Sequence, residues 1–342
     1  MPTLENDRLV FRFPQIEEKA NFFISFQRTL RIPDTETTYP LPPGFGDFPL
    51  RHAEDYAGKR SAAAVLRGGV VLPMWQAEAM WLRFLSLGPD WGLDFPVAIK
   101  VAAGKINAVT GETWRAGLHR EPQDYMVAPA QPWLDGFAVE AGVIRQFVAM
   151  PLGEGYSVEG QLTGEEEWGG LQIEVMPLKA DVWQKVRREH KRTGRIMTDS
   201  KAPAVACSVP EPEMGLAAGG RMKQEIYPDR FALDDWDTSA SDRVFVSLLN
   251  AKDWKSVTGE NAPNQPPTAD DYAQAGLPWF DCYGVDQPPL PGGAKLAGVK
   301  SLASLFEQQT GVALPNSGDI DTCAPNLIGP GVAPRQIRPG KW

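Results

Sequence analysis

Val70–Gly88 reads "VVLPMWQAEAMWLRFLSLG", and the fold class turns on what this stretch becomes. Its first residues are β-branched or large and apolar, which suits a strand. Pro73 then suits the first turn of a helix, and Gly88 suits its end. Trp75, Ala79, Leu82 and Phe84 or Leu85 fall near helical spacing, while Met80 and Trp81 crowd the other faces. The expectation is a strand that leads into a helix buried on more than one side. Joined to helices expected at Leu178–Gly194 and Ala294–Gly311, it makes the fold class α+β, rich in strands.

The strand signals lie on either side. "ANFFISFQRTLRIP" (Ala20–Pro33) puts Phe22, Ile24, Phe26, Leu30 and Ile32 on alternate positions, the period of a strand with one buried face. Thr37–Leu50 is rich in Pro and Gly and reads as an ordered loop. Phe95–Glu112 reads as two strands about a turn at Ala103–Lys105, and Gly136–Pro151 as a hairpin that turns at Glu140–Gly142. Gly169–Pro177 and Arg243–Asn250 read as further strands. In Leu178–Gly194, Val182 and Val186 share a face and the rest is charged, with a basic end that complements the helix dipole. Leu296, Val299, Leu302 and Leu305 form the stripe of the last helix.

Two phrases echo each other: "PWLDGF" at Pro132–Phe137 and "PWFDCY" at Pro278–Tyr283. Each follows a Val-Thr-Gly-Glu (Val109–Glu112, Val257–Glu260) and then an Asp-Tyr pair (Asp124-Tyr125, Asp271-Tyr272), in the same order. Collinear matches of this kind indicate internal duplication. The expected organisation is two related α+β units packed with pseudo-two-fold symmetry. Residues 1–60 would form an N-terminal strand and loop, 60–197 the first unit, 198–214 a linker or surface loop, 215–310 the second unit and 311–342 an extended tail.

Composition narrows the function. The 342 residues carry 34 Lys and Arg against 43 Asp and Glu, a net charge of −9, which argues against a dedicated nucleic-acid binder. No stretch has the roughly 18 consecutive apolar residues of a membrane span, and "MPTLENDRLVFRFP" lacks the pattern of a leader. Cys207, Cys282 and Cys323 are odd in number and far apart, which disfavours a zinc ribbon or a disulfide framework. A cytoplasmic location with no cofactor and no metal is expected. His52, His119 and His190 lack metal-ligand spacing, and neither a G-x-S-x-G elbow nor a P-loop occurs. "GEGYSVEG" (Gly153–Gly160) reads as lacking both the helix opening and the Lys of a phosphate loop, and so as a tight turn. Glu165–Glu167 reads as a solvated turn. The alternating acids of Asp234–Asp242 lack the Gly and Glu of a calcium loop.

The echoed phrases supply the candidate site. Trp133 and Trp279 either plug the core or, with Tyr125 and Tyr272, grip a ligand. Asp135 and Asp281 read first as turn formers that accept backbone N–H groups. With Glu112 and Glu260 they are also the carboxylates that glycoside hydrolysis would need beside an aromatic cleft. The leading reading is a non-catalytic binding or self-assembling protein, a homo-oligomer or one with a protein partner. The alternative is a carboxylate-dependent hydrolase acting on a carbohydrate-like substrate.

Several phrases together resemble a family of conserved soluble bacterial proteins, found notably in filamentous actinobacteria and without an established activity. They are "FQRTLRIPDTETTYPLPPGFGDFPL", "VAIKVAAGKINAVTGE", "QPWLDGFAVEAGVIRQFVAMPLGEGYSVEGQLTGEEEWGGLQIEV", "GGRMKQEIY" and "GLPWFD". The resemblance implies a soluble bacterial protein and assigns no catalytic residue.

Overall fold

Val70–Gly88 forms two strands and no helix. After Val70–Met74 the chain turns sharply through Trp75–Glu78, then runs straight from Ala79 to Leu87. Met80, Leu82, Phe84 and Ser86 are buried, while Trp81, Arg83 and Leu85 are half-buried. That is period two. The apolar residues on both faces imitate helical spacing because neither face is fully wet. Pro73 is tolerated because the neighbouring short strand pairs only Val70 and Val71.

The computed structural model describes residues 1–56, 68–90, 93–193, 214–282, 288–322 and 325–328. In chain order the strands begin with Thr3–Glu5 (β1), Arg8–Arg12 (β2), Asn21–Thr29 (β3), Thr38–Tyr39 (β4), Gly44–Asp47 (β5) and Arg51–His52 (β6). Val70–Met74 (β7), Ala79–Leu87 (β8), Val97–Ala103 (β9), Ile106–Asn107 (β10), Met126–Ala128 (β11) and Trp133–Leu134 (β12) follow. The rest are Gly136–Glu140 (β13), Val143–Pro151 (β14), Leu171–Pro177 (β15), Met214–Lys223 (β16), Asp242–Asn250 (β17), Phe280–Cys282 (β18) and Asn326–Ile328 (β19). The helices are Val158–Thr163 (α1), Ala180–Thr193 (α2), Ala251–Thr258 (α3), Ala269–Gln274 (α4), Ala294–Ala297 (α5) and Leu302–Thr310 (α6).

One run of neighbours is β1-β2-β3-β8-β14-β16, all antiparallel. A second is β6-β7-β17-β15-β9, with β10 and β11 on the far edge of β9. Only β7 and β17 in this run are parallel. The runs meet where Met214 pairs with Leu248, giving a sheet of 17 strands. Phe22, Ile24 and Phe26 of the first run and Val101, Ile173 and Val246 of the second lie in one hydrophobic cluster. Backbones approach closely at β17. Gly69 (φ +78°) and Gly170 (φ +56°) sit where a Cβ would come within 2.2 Å of the Phe245 carbonyl oxygen and 2.4 Å of that of Val246.

The fold class is therefore not α+β. Among the described residues strands hold 37% against 19% for helices, so the structure is strand-dominated. Nor do two equivalent units pack about a two-fold axis. β15 of the first segment pairs with β17 of the second, and β14 of the first pairs with β16 of the second. The echoed words fold differently. Val109–Glu112 lies in a turn closed by the Asn107 side chain, whereas Val257–Glu260 ends α3 with Gly259 in the left-handed region. Asp124-Tyr125 precedes β11, but Asp271-Tyr272 lies inside α4.

Other expectations stand closer to the structure. The Gly136–Pro151 hairpin forms with Gly142 at φ +73°, and the basic helix spans Ala180–Thr193. The last helix breaks in two at Gly298. Cys207, Cys323, residues 198–213 and residues 329–342 lie outside the described residues. Among the described residues no helix is long and apolar enough to cross a membrane.

The alternation in β8 has a direct test. Leu82→Ala removes a fully buried side chain and is expected to cost about 2–5 kcal/mol. Leu87→Ala, at a 43% exposed position, is expected to stay within about 0.5 kcal/mol. Urea unfolding of the two variants reads the difference, and equal costs would contradict the strand.

Candidate functional site

The turn that replaces the expected helix builds a pocket. Ala77 sits at φ +62°, a conformation that costs a residue with a Cβ about 1–2 kcal/mol. It is held there by bonds to β14: Ala77 N–H donates to the Ala149 carbonyl at 2.8 Å, and Ala149 N–H to the Glu78 carbonyl at 2.9 Å. Glu78 is buried behind the turn. Its Oε1 accepts from Arg28 Nε at 2.8 Å and Nη2 at 2.6 Å, and its Oε2 accepts from the Trp75 N–H at 2.9 Å. Burial outweighs these bonds and pushes the Glu78 carboxyl up to about 7. Arg28 also donates to the Asn264 carbonyl and lies over the Phe48 ring.

The opposite wall is the segment around Gln265–Ala269, tied down where Trp75 Nε1 donates to the Pro263 carbonyl at 2.7 Å. Arg31 and Asn316 complete the rim. The cavity measures ≈ 110 Å³, room for roughly four waters at about 30 Å³ each. Asn316, like Ala77, is a non-glycine residue in the left-handed region, at φ +56°. Among the described residues the side-chain amides of Gln76, Gln265 and Asn316 make no hydrogen bond.

The residues singled out by sequence lie elsewhere. Trp133 Nε1 donates to Asp135 Oδ2 at 2.6 Å, so those two meet. Asp135 is buried, and burial raises its carboxyl to about 7 against the pull of that bond. Tyr272 and Trp279 also meet, edge to face at 5.8 Å, with Trp279 fully buried. Tyr125 donates to Asp229 Oδ2 at 2.7 Å. The other three acids have separate cationic partners. Asp281 pairs with Lys223 at 3.0 Å, Glu112 with Lys295 at 2.7 Å and Glu260 with Arg51 at 2.5 Å. The structure does not bring the four carboxylates to one place.

Two further clusters escaped the sequence reading. Lys100, buried on β9, contacts Asp124 Oδ2 at 2.6 Å and the carbonyls of Arg115 and Gly117 at 2.7 Å each. His119 closes the same carboxylate through Nδ1 at 2.9 Å and its own N–H at 2.9 Å. Every donor of this set meets an acceptor on the loop it ties, which is the pattern of a structural anchor. The second cluster joins the two Gly- and Glu-rich phrases. The N–H groups of Gly153, Gly155 and Ser157 donate to the Glu166 carboxylate at 2.6, 3.0 and 2.8 Å. "GEGYS" does cradle an anion, and the anion is the chain's own. In Asp234–Asp242 the acids cap local backbone, as Asp237 does for Ser239 N–H at 3.1 Å.

Comparison with protein families, with curated proteins and with solved structures gives no match. The pocket residues had a faint signal in the sequence: "QAE" (Gln76–Glu78) is a short polar break between two apolar runs, and "NQPPT" (Asn264–Thr268) is a stiff one.

Two outcomes follow from the buried charges. Lys100→Met strands the Asp124 carboxylate in the interior and is expected to cost about 3–5 kcal/mol, read by urea unfolding. Asp135 keeps in the folded chain a proton that the unfolded chain releases near 3.8. Between about pH 4 and 7 the folded state thus binds more protons, and stability falls as pH rises. Asp135→Asn is expected to flatten that fall and to gain roughly 1–4 kcal/mol at about pH 8. Denaturation midpoints across this range decide, and an unchanged slope would refute it.

Proposed function

We propose that this chain is a non-catalytic binding protein whose working surface is the pocket at the Trp75–Glu78 turn. The observation that carries the reading is that two non-glycine left-handed residues, Ala77 and Asn316, come from distant parts of the chain to one rim. Strained conformations persist where the surroundings impose them, and they cluster at ligand clamps. The same rim carries three amides without intramolecular partners, each able to donate and accept. A cavity of ≈ 110 Å³ is too small for a whole cofactor, given that ligand pockets run to about 300–1,000 Å³. It suits one protruding group of a larger partner, including a second copy of this chain.

Gln265→Trp places an indole at the mouth of the pocket. A thermal-shift screen of small polar compounds is expected to raise the Tm of the wild type for at least one class and to leave the variant unmoved. Light scattering extends the test to self-assembly, where the variant is expected to lower any mass above the monomer. A wild type that responds to nothing and stays monomeric, or a variant that responds equally, overturns the reading.

A further inference from the structure

Arg31 is the anomaly of the pocket. Its guanidinium is half-buried on the rim, yet no described carboxylate forms an ion pair with it. Its bonds go to neutral groups: Nη1 to Ser317 Oγ at 2.9 Å, and Nη2 to the carbonyls of Pro315 at 2.6 Å and Asn316 at 3.4 Å. Burial pulls its pKa below the ordinary arginine value, and the nearby Asp34 offsets part of that pull. Asp34 itself is engaged elsewhere, by Arg145 at 3.1 Å and by the Ala303 N–H at 2.7 Å. A desolvated cation without a counter-ion is costly, and an anion that reaches it recovers the cost. The other charge on the wall, Glu78, is already saturated by Arg28 and the Trp75 N–H.

We infer that the pocket takes a carboxylate, held by Arg31 and steadied by the amides of Gln76, Gln265 and Asn316. The inference rests on the pocket being a binding site, as proposed above. Its size fits: a carboxylate with one or two attached carbons fills about the space of four waters. Charge selects it over a phosphate. Asp34 and Glu78 are each paired with another arginine, so Arg31 leaves one positive charge at the rim, which a single negative charge balances and a dianion exceeds. The planar guanidinium fork also matches the two oxygens of a carboxylate. The carboxylate could be carried by an acidic sugar or by a free peptide C-terminus, which share this chemistry.

The test is calorimetric titration of the full chain with sodium glucuronate, an acetylated dipeptide with a free C-terminus, the same dipeptide as its C-terminal amide, and inorganic phosphate. At least one carboxylate is expected to bind, and the amide to bind at least tenfold more weakly than the acid. Arg31→Lys keeps the charge but loses the fork, and about a ten- to hundredfold loss is expected. Gln265→Ala, at an exposed position away from the Arg31 contacts, is expected to lose roughly fivefold. It keeps the test decisive should Arg31→Lys fail to fold. Glucuronate and the dipeptide acid together tell which carrier fits. Equal binding of acid and amide, or stronger binding of phosphate, overturns the carboxylate and leaves the pocket standing. Silence from all four probes overturns the carboxylate, while the thermal-shift screen and light scattering described above decide separately whether the pocket binds at all.

Discussion

The register between Asn21–Thr29 and Ala79–Leu87 is the constraint on which the site depends. Nine residues pair without a break, from Asn21 with Leu87 to Thr29 with Ala79. A slip of one residue would turn Phe22, Ile24 and Phe26 out of the core, so the hydrophobic pattern fixes the register. That register places Arg28 beside the residue just before the strand, Glu78. The buried pair is thus a product of strand pairing, and its Glu78 lines the pocket. Arg31 follows three residues later, where the chain leaves the sheet for the rim.

Charge inside the protein follows one rule, which the clusters obey in different ways. Lys100 is surrounded by oxygen acceptors from a single loop, and Glu166 by N–H donors from another. Both are complete, and both hold loops against the sheet. Arg31 is the contrasting case, with carbonyl and hydroxyl oxygens in place of a carboxylate. A charge already balanced by its own fold has structural work; Arg31 is left only partly balanced at the cavity rim, and the proposed carboxylate site rests on that contrast.

The strands were legible where apolar and polar residues alternate, as in Ala20–Pro33 and the Gly136–Pro151 hairpin. The sequence misleads at Trp75–Leu87. There the strand has apolar residues on both faces, and period two and period 3.6 cannot be told apart in so short a run. Within the strand only Arg83 marks the wetter face, and the other polar residue, Ser86, falls on the buried one. The echo of "PWLDGF" and "PWFDCY" misled for a different reason. A Pro-Trp-x-Asp word can hold Trp133 against Asp135 in one place and bury Trp279 against Tyr272 in another, because short words do not specify long-range pairing. The pocket was the least legible part. Its walls come from residues 31, 75–78, 265–269 and 316, and nothing local links segments so far apart in the chain.

The position of β17 sets the order in which the protein can be made. The two strands that pair along it, β7 and β15, are both synthesised before it. Until Asp242–Asn250 emerges, each presents a run of unpaired N–H and C=O groups with nothing to fill the gap between them. Such edges recruit strands from other chains, and nascent chains meet at high local concentration on one message. The central place of a late strand therefore leaves the growing chain with two open edges until it arrives, a period in which a chaperone or a slow neighbour decides its fate.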